Sequence, residues 1–328
     1  MGRNITIDIA KAICIIFVVI GHYLPDDSPQ WYQSINDIVY SFHMPLFFFA
    51  SGYIYISTLK KCSYTSFISK KVKRLVIPYF ATSIILISIK LLTEFFSGMQ
   101  VDHPVGINAF IRMFYLPEAG FFLWFIWALW WMFVIVPLFK TKTQRNVLFA
   151  LTFVCAYIPF PTTEIFCLAE LKDMFVYFML GVFVYENHLV KYITKISSTA
   201  IVLTFIILEG LYVGGILDSI IVWFLPYLGI VSFMLLSRRL ANSNLTVSKT
   251  RMIAVAEATY IIYLFHTTFE GLVKSSLHMV SYFANGANDM AFAIGALIVI
   301  SVGLFGPILL YRYVLNKNKV FKFLFGLK

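Results

Sequence analysis

Three ionisable side chains, Asp8, Lys11 and His22, interrupt an otherwise apolar stretch that runs from Arg3 to Tyr23. The stretch is about 20 residues long, which is enough for a helix to cross a bilayer. At about 100° per residue, the three side chains fall within a stripe about 60° wide on one helix face. Lys11 and His22 are then about 16 Å apart along the helix axis. An ionisable side chain near the bilayer centre costs about 2.5 to 3.5 kcal/mol or more, so we expect this stripe to face protein or water.

The composition indicates a membrane protein. Of the 328 residues, 60% are hydrophobic and 13% are charged, whereas soluble domains carry about 25% charged residues. The formal net charge is +10, but clustered Lys and Arg in a membrane protein commonly report topology, and no nucleic-acid-binding motif accompanies them. The four cysteines lack CxxC spacing, so neither a disulfide nor a metal site is expected. No A-x-A-like cleavage site follows the first apolar run, which we expect to be retained.

Hydrophobic runs separated by polar loops predict ten transmembrane helices, and hence an all-α polytopic membrane protein. The sequence shows no internal repeat and no low-complexity tract, so we interpret residues 1–328 as one membrane domain. A short interfacial helix is also expected near residues 107–115. The predicted spans are approximately Arg3–Tyr23, Ile38–Ser57, Leu75–Phe96, Phe121–Phe139, Val147–Phe160, Met174–Tyr185, Thr199–Leu217, Ser219–Ser237, Ile253–Val273 and Ala291–Leu315.

Loops that are rich in Lys and Arg alternate with loops that are acidic or nearly free of both. The positive-inside rule then places the basic loops and both termini in the cytoplasm. Arg112 and Lys172 are the exceptions that fall on the outer side. This topology puts Asp8 and Lys11 near the cytoplasmic face of the first helix and His22 toward the outer face. The stripe is therefore predicted to connect the two sides of the cytoplasmic (inner) membrane.

Four motifs, in order along the chain, resemble those of the acyltransferase-3 family, which are integral-membrane O-acyltransferases that modify cell-surface and exported carbohydrates. The first helix fits D-x-x-[R/K] followed by a histidine, with Lys11 and His22 separated by ten positions. The second span reads FHMPLFFFASGY, which is similar to F-x-x-P-L-F-F-x-x-S-G. The next loop, KKVKRLVIPYF, resembles R-x-x-R-L-x-x-P, with Lys71 in place of the first Arg and then Arg74. Late in the chain, TYIIYLFH resembles S-Y-x-I-Y-L-x-H and ends at His266.

The resemblance extends over the whole chain and includes the count of ten helices. The FHMPLFF form is similar to the fucose-O-acetylase-like branch of the family, and we expect no SGNH domain of the kind that some relatives carry. Thr259 replaces the usual Ser, and Ala12 replaces a frequent Gly. The implied reaction transfers an acetyl group from cytoplasmic acetyl-CoA to a hydroxyl of a carbohydrate such as capsule, O-antigen or exopolysaccharide. Acetyl-CoA is then a donor substrate, and neither a permanently bound cofactor nor a metal is expected.

Acyl transfer to a hydroxyl requires a base, stabilisation of an oxyanion and alignment of the two substrates. His22 suits the role of base because the unperturbed pKa of histidine is about 6.5; the alternative is a histidine that is hydrogen-bonded at a helix end. Lys11 is expected to handle the donor, although it could also pair with Asp8 one turn away. The resemblance implies that Lys71 and Arg74 contact the donor. Their alternative role is that of a topology signal that binds anionic lipid headgroups.

Four further residues are possible site members: His43, Ser51, Trp124 and His266. His43 precedes Pro45, which frees a backbone carbonyl in the second span. Ser51 either allows close approach of two helices or carries a covalent acyl group. Trp124 belongs to a Trp-Phe pair that is common in the family, although tryptophans at a membrane interface usually anchor the helix. His266 is either structural or a support for another site residue.

Two other classes of protein could carry ionisable residues within the membrane. A secondary transporter, or a flippase for a lipid-linked sugar or a small anionic solute, often contains inverted repeats and broken helices in matching halves, and the sequence shows neither. A structural protein of an envelope complex does not require Asp8, Lys11 and His22 on one helix face. The sequence therefore favours acyl transfer, with acetyl-CoA, a carbohydrate and the lipid bilayer as partners and no nucleic acid.

Overall fold

The computed structural model describes residues 4–26, 28–59, 63–97, 101, 103–193, 197–217, 222–278 and 288–327. Within these ranges the protein is helical and has no β-strand, which confirms the predicted all-α class. Cys62 and the predicted start of the eighth span at Ser219 lie outside the described residues.

The helices are named here in chain order. They are α1 Ile5–His22, α2 Gln30–Leu59, α3 Tyr64–Lys71, α4 Ile77–Ser97, α5 Ala109–Arg112, α6 Trp124–Ile135, α7 Lys142–Tyr157, α8 Leu168–Glu186, α9 Val190–Ile193, α10 Ser198–Val213, α11 Leu225–Ala241, α12 Thr246–His278, α13 Asp289–Tyr313 and α14 Lys319–Leu324. A π-helical turn, Val72–Val76, joins α3 to α4. Single 3-10 turns occur at Phe121–Leu123, Val136–Leu138, Ile165–Cys167 and Leu315–Lys317.

Five helical segments among the described residues are long and apolar enough to cross a membrane. They are Ile5–His22, Tyr64–Phe96, Phe121–Leu138, Thr246–Leu277 and Asp289–Lys317. These segments overlap the first, third, fourth, ninth and tenth predicted spans, and each of the other predicted spans also overlaps a helix. The number of membrane crossings and the sides on which the termini lie stay predictions.

The second long helix begins earlier than the sequence predicts. α2 starts at Gln30, whereas the polar stretch before Ile38 was expected to be a loop. Two polar side chains of that stretch, Tyr32 and Asn36, hydrogen-bond backbone carbonyls at the end of α1. These polar residues therefore belong to a helix that packs against α1. Their polarity alone predicts a loop, and that prediction is wrong here.

The basic loop after α2 is also partly helical. α3 begins at Tyr64, and the side chain of Ser63 accepts a hydrogen bond from the backbone N–H of Ser66. This is the usual N-cap arrangement, which satisfies one of the free N–H groups at a helix start. The short interfacial helix expected near residues 107–115 is present as the single turn α5, Ala109–Arg112.

The chain divides into two compact units by the density of its internal packing. The first unit contains residues 1–50 and 188–313, and the second contains residues 51–187 and 314–328. In the first unit, α1 packs against α11, α12 and α13. Its buried residues, among them Ile9, Cys14 and Val19, lie on several sides of the helix. α1 therefore packs against other helices on several of its sides. The interpretation of the chain as one membrane domain stays a prediction.

In the second unit, α8 packs against both α6 and α7. A Cβ atom added at Gly52 on α2 would lie 1.9 Å from the backbone oxygen of Phe178 on α8. The two backbones therefore touch at this glycine, as small residues permit between membrane helices. Arg145 on α7 donates two hydrogen bonds to Glu186 at the end of α8, at 2.6 and 2.8 Å. This largely buried ion pair fixes α7 against α8.

Candidate active site

His22 is the last residue of α1, and α2 binds the backbone on which it stands. The Tyr32 hydroxyl donates to the carbonyl oxygen of Ile20 at 3.1 Å, and the Asn36 amide donates to that of Gly21 at 2.8 Å. The last carbonyls of a helix have no partner within the helix, so α2 supplies the donors that they need. The position of His22 is thereby fixed by side chains as well as by its own helix.

Gly21 brings α2 close to the end of α1. A Cβ atom at this position would lie 3.1 Å from the Tyr40 ring and 3.3 Å from the side chain of Val39. Both distances are shorter than ordinary van der Waals contact. A glycine directly before His22 therefore lets α2 pack tightly against the turn that carries the histidine.

Three histidines meet in the first unit. The rings of His22 on α1 and His266 on α12 have centroids 4.9 Å apart. His43 on α2 interacts electrostatically with His22, and its ring packs against Tyr40 at a centroid distance of 4.9 Å. His22 and His266 are therefore in ring contact, and His43 lies within electrostatic range of His22; we call these three residues the histidine cluster.

Two members of the histidine cluster form hydrogen bonds with backbone carbonyls of their own helices. The Nδ1 atom of His43 lies 2.6 Å from the carbonyl oxygen of Val39. The Nδ1 atom of His266 lies 2.9 Å from the carbonyl oxygen of Tyr263. A carbonyl only accepts hydrogen bonds, so we infer that Nδ1 carries the proton in each neutral ring and that Nε2 has the lone pair.

The three histidines differ in accessibility. His43 and His266 are 2% and 0% exposed, whereas His22 is partly exposed. By whole-residue exposure, His22 is therefore the most accessible of the three histidines, and it stands at the end of α1. Its role as the reacting histidine stays a prediction.

Glu270 is a site residue that the sequence reasoning missed. It follows His266 by one turn of α12 and is 5% exposed. Within the described part of the chain, its Oε1 atom has no hydrogen-bond partner. Residues four apart lie on the same face of a helix, so the His266–Glu270 spacing was the signal that could have identified it.

Asp8 and Lys11 lie in the N-terminal half of α1, and both are partly buried. Asp8 is in the first turn, where the helix dipole stabilises a negative charge. Ten residues lie between Lys11 and His22, so the two residues are eleven steps apart along α1, which corresponds to about 16 Å. Lys11 therefore cannot contact the atom from which His22 would remove a proton, and any role with the donor concerns a more distant part of that molecule.

The remaining predicted site residues belong to the second unit. Lys71 places its Nζ atom 3.4 Å from the ring centroid of Phe133, a cation–π contact. Arg74 is exposed on the π-helical turn, and Trp124 is the partly exposed first residue of α6. Ser51 is partly exposed beside Gly52 on α2. The roles of these four residues stay predictions.

Aromatic side chains surround the end of α1 that carries His22. We call this group the aromatic rim; it consists of Tyr23, Trp31, Tyr32 and Phe292. The ring of Tyr32 packs edge-on against that of Phe292 at 5.1 Å, and Trp31 packs against both of these rings. Trp31 is 39% exposed. The rim therefore presents an exposed indole that packs on Tyr32, whose hydroxyl binds the α1 backbone two residues before His22.

Metal-dependent and cysteine-dependent chemistry would require other side chains. Among the described residues, no three His, Cys, Asp or Glu side chains form a group that could hold a metal ion. Burial, with a smaller contribution from nearby Glu170, raises the pKa of the Cys167 thiol to about 12. The nucleophilic form of cysteine is the thiolate, so Cys167 is unsuited to carry an acyl group near neutral pH.

Comparisons with known proteins show which family this chain resembles. A family model described as an acyltransferase domain matches residues 4–312. Nodulation protein NolL of Sinorhizobium fredii (strain NBRC 101917 / NGR234) is 30% identical over 165 residues, which is 48% of this chain and 43% of that protein. Nodulation protein NolL of Mesorhizobium japonicum (strain LMG 29417 / CECT 9101 / MAFF 303099) is 25% identical over 151 residues, 44% of this chain and 38% of that protein. The matched part is less than half the length of these curated relatives. No solved structure matches the chain.

Proposed function

This chain belongs to the acyltransferase-3 family, and we propose that it is a membrane O-acyltransferase that moves an acetyl group from cytoplasmic acetyl-CoA to a hydroxyl of a cell-surface or exported carbohydrate. The observation that carries this proposal is the histidine cluster, in which a partly exposed His22 lies against the buried ring of His266. The family and the apolar helices make the chain a multi-pass membrane protein with acyltransferase character.

In the proposed reaction, His22 takes the proton of the acceptor hydroxyl while the hydroxyl oxygen bonds to the thioester carbon. The tetrahedral intermediate then collapses, and the bond between carbon and sulfur breaks. The proton passes from His22 to the sulfur, so the products are an O-acetyl ester and free CoA. A histidine suits both steps because its two protonation states are accessible near neutral pH.

The donor is proposed to lie along the stripe of α1. Lys11 is about 16 Å from His22, a length comparable to an extended pantetheine arm, so it would bind a distal part of acetyl-CoA. Asp8 would orient Lys11 by charge from the preceding turn. The proposal that Lys71 and Arg74 contact the donor rests on the resemblance to the family alone.

The acceptor is proposed to approach from the side of the aromatic rim. The exposed ring of Trp31 offers an apolar surface on which a sugar ring can stack. Binding sites for small molecules commonly combine such apolar surfaces with a few polar groups, and here the polar group would be His22. Capsule, O-antigen and exopolysaccharide are all acceptors of suitable chemistry.

We further propose ten membrane crossings, with both termini in the cytoplasm and the protein in the cytoplasmic membrane. The alternation of basic and non-basic loops supports this topology. Under it, Lys11 lies toward the cytoplasm, where acetyl-CoA is made, and His22 lies toward the opposite side.

Sealed membrane vesicles test this function and its direction. Radiolabelled acetyl-CoA, which does not cross a bilayer, is added outside inside-out vesicles that enclose total surface glycan of the source cell. We expect label in the enclosed glycan, and none when right-side-out vesicles receive the same donor. Absence of labelled glycan in both orientations, with folded protein present, would contradict the proposal. Uptake of unacetylated sugar would instead support a transporter.

A further inference from the structure

We propose that Glu270 is a positioning residue that acts through the histidine cluster, where its carboxylate stabilises the positive charge that His22 acquires in the transition state. This inference rests on the proposed function, because it concerns the same histidine. In the proposed step Glu270 exchanges no proton; the proton taken from the acceptor hydroxyl resides on His22 and then passes to the departing sulfur. No substrate contacts Glu270, which is 5% exposed.

The helix places Glu270 beside the cluster. Side chains four residues apart on a helix have Cβ atoms about 5 to 6 Å apart, so Glu270 lies next to His266 on one face of α12. The His266 ring in turn lies 4.9 Å from the ring of His22. The carboxyl group is therefore one side chain away from the reacting imidazole.

A second contact brings the carboxyl group to α1 itself. A Cβ atom added at Gly303 on α13 would lie 2.7 Å from Oε1 of Glu270 and 3.1 Å from Cγ1 of Val19. Val19 precedes His22 by three residues and therefore shares its face of α1. The space above Gly303 thus holds the Glu270 carboxyl against the turn of α1 that leads to His22.

The hydrogen bonding of Glu270 is incomplete. Its Oε1 atom is buried and has no hydrogen-bond partner in the described part of the chain. Burial of an ionised carboxylate without a partner costs free energy, and a nearby positive charge offsets that cost. An imidazolium on His22 provides such a charge only while the reaction proceeds. The interaction is therefore stronger in the transition state than in the ground state, which is the condition for acceleration of a reaction.

Several titratable groups lie around Glu270. Tyr32 and Tyr40 of α2 interact electrostatically with it, and His266 and Lys274 are each one turn away from it on α12. His22 of α1 is in ring contact with His266, His43 of α2 interacts with His22, and α13 contributes the backbone of Gly303. The tyrosines interact electrostatically with Glu270, but tyrosine is neutral near pH 7. Glu270 is therefore the acidic group beside the histidine cluster and Lys274 is the nearby cation on α12, and loss of a carboxylate charge at Glu270 would lower the proton affinity of the histidines.

The first test is Glu270→Gln, which keeps the shape of the side chain and removes its charge. We expect kcat to fall on the order of 10²-fold, the lower range for loss of acid–base assistance, while the KM values for acetyl-CoA and acceptor stay the same. We also expect the acidic limb of the pH profile of kcat to move to lower pH, because His22 binds its proton less tightly without a neighbouring negative charge. A merely structural role would not move that limb.

The second test displaces the carboxyl group without changing it. Gly303→Ala adds a methyl group 2.7 Å from Oε1, whereas Gly271→Ala on α12 adds one with nothing within 4 Å. Gly303→Ala should lower kcat and leave KM unchanged, and Gly271→Ala should match wild type. This pair also serves where Glu270→Gln yields too little folded protein, as judged by thermal unfolding in detergent.

The possible outcomes separate this inference from the proposed function. Wild-type kcat and an unchanged pH profile in folded Glu270→Gln, or wild-type kcat in folded Gly303→Ala, would overturn the role of Glu270. If His22→Ala loses transfer while folded Glu270→Gln or folded Gly303→Ala keeps wild-type activity, the acyltransferase proposal stands and only the role of Glu270 is rejected. Retained transfer in His22→Ala would instead reject His22 as the base.

Discussion

Gly52→Ala tests the closest approach of two helices in the second unit. The added Cβ atom would lie 1.9 Å from the carbonyl oxygen of Phe178 and 2.8 Å from its carbonyl carbon. Real Cβ atoms essentially never come closer than 3.0 Å to another heavy atom. The obstacle is backbone on α8, so a change of side-chain rotamer cannot relieve the clash. α2 and α8 must separate by about 1 Å at this point.

The size of the effect can be worked out against a matched control. Inserting a methyl group into a well-packed interior costs about 1 to 3 kcal/mol, and a contact with backbone belongs at the upper end. Replacing Gly by Ala within a helix also gains up to about 1 kcal/mol of helix propensity. Gly210→Ala on α10 carries the same gain, but its added Cβ has nothing within 4 Å. The difference between the two variants therefore isolates the clash.

Thermal unfolding of the purified protein in one detergent measures this difference. A change of 1 kcal/mol shifts Tm by about 2 to 4 °C in proteins of 150–250 residues. We therefore expect Gly52→Ala to unfold at least about 4 °C below Gly210→Ala. Equal Tm values for the two variants would refute the argument that α2 and α8 touch at Gly52.

Three further predictions concern the second unit. Arg145→Met should lower the free energy of unfolding by about 3 to 5 kcal/mol, because it leaves the Glu186 carboxylate buried without a partner. Adding Glu186→Leu should restore most of the lost stability. Chemical unfolding measures both variants, and no recovery in the double variant would contradict this prediction. Tyr79→Phe should lower the free energy of unfolding by about 1 kcal/mol and speed hydrogen exchange in residues 113–116, because the Tyr79 hydroxyl lies 2.8 and 2.9 Å from two carbonyl oxygens there. Unchanged exchange would argue against a stabilising role of this hydrogen bond. Lys71→Met should raise KM for acetyl-CoA about 10-fold and leave kcat unchanged, because the proposed charged hydrogen bond between Lys71 and the donor is lost. A lower Tm with unchanged KM would indicate that Lys71 stabilises the fold and does not bind the donor.

Local patterns predicted the helices well. The apolar run that ends at His22 is α1, and the small residue Gly52 marks a close helix contact, as expected for small residues in membrane helices. The start of α2 was wrong because polar residues were interpreted as a loop. Tyr32 and Asn36 are polar and nevertheless point at α1, where they bind carbonyls at the end of that helix. A single sequence does not show that a polar side chain has such a partner.

The site could be predicted only in part, for a similar reason. His22, His43 and His266 were each identifiable from motifs, but their mutual distances depend on the packing of three helices. Glu270 was missed because it belongs to none of the four motifs, although it lies within the predicted ninth span. Only the fold shows that Gly303 on another helix makes room for its carboxyl group. Long-range packing thus determines which of the ionisable residues form one site.

The rate of acetyl transfer by purified His22→Ala, compared with wild type, tests the central claim most directly. Both proteins are assayed with radiolabelled acetyl-CoA and surface glycan at equal amounts of folded protein. His103→Asn is the matched control, because His103 is an exposed loop histidine with positive φ, which asparagine tolerates. We predict that transfer falls about 10²- to 10⁴-fold in His22→Ala and is unchanged in His103→Asn. Transfer at the wild-type rate by folded His22→Ala would contradict the account of His22 as the general base.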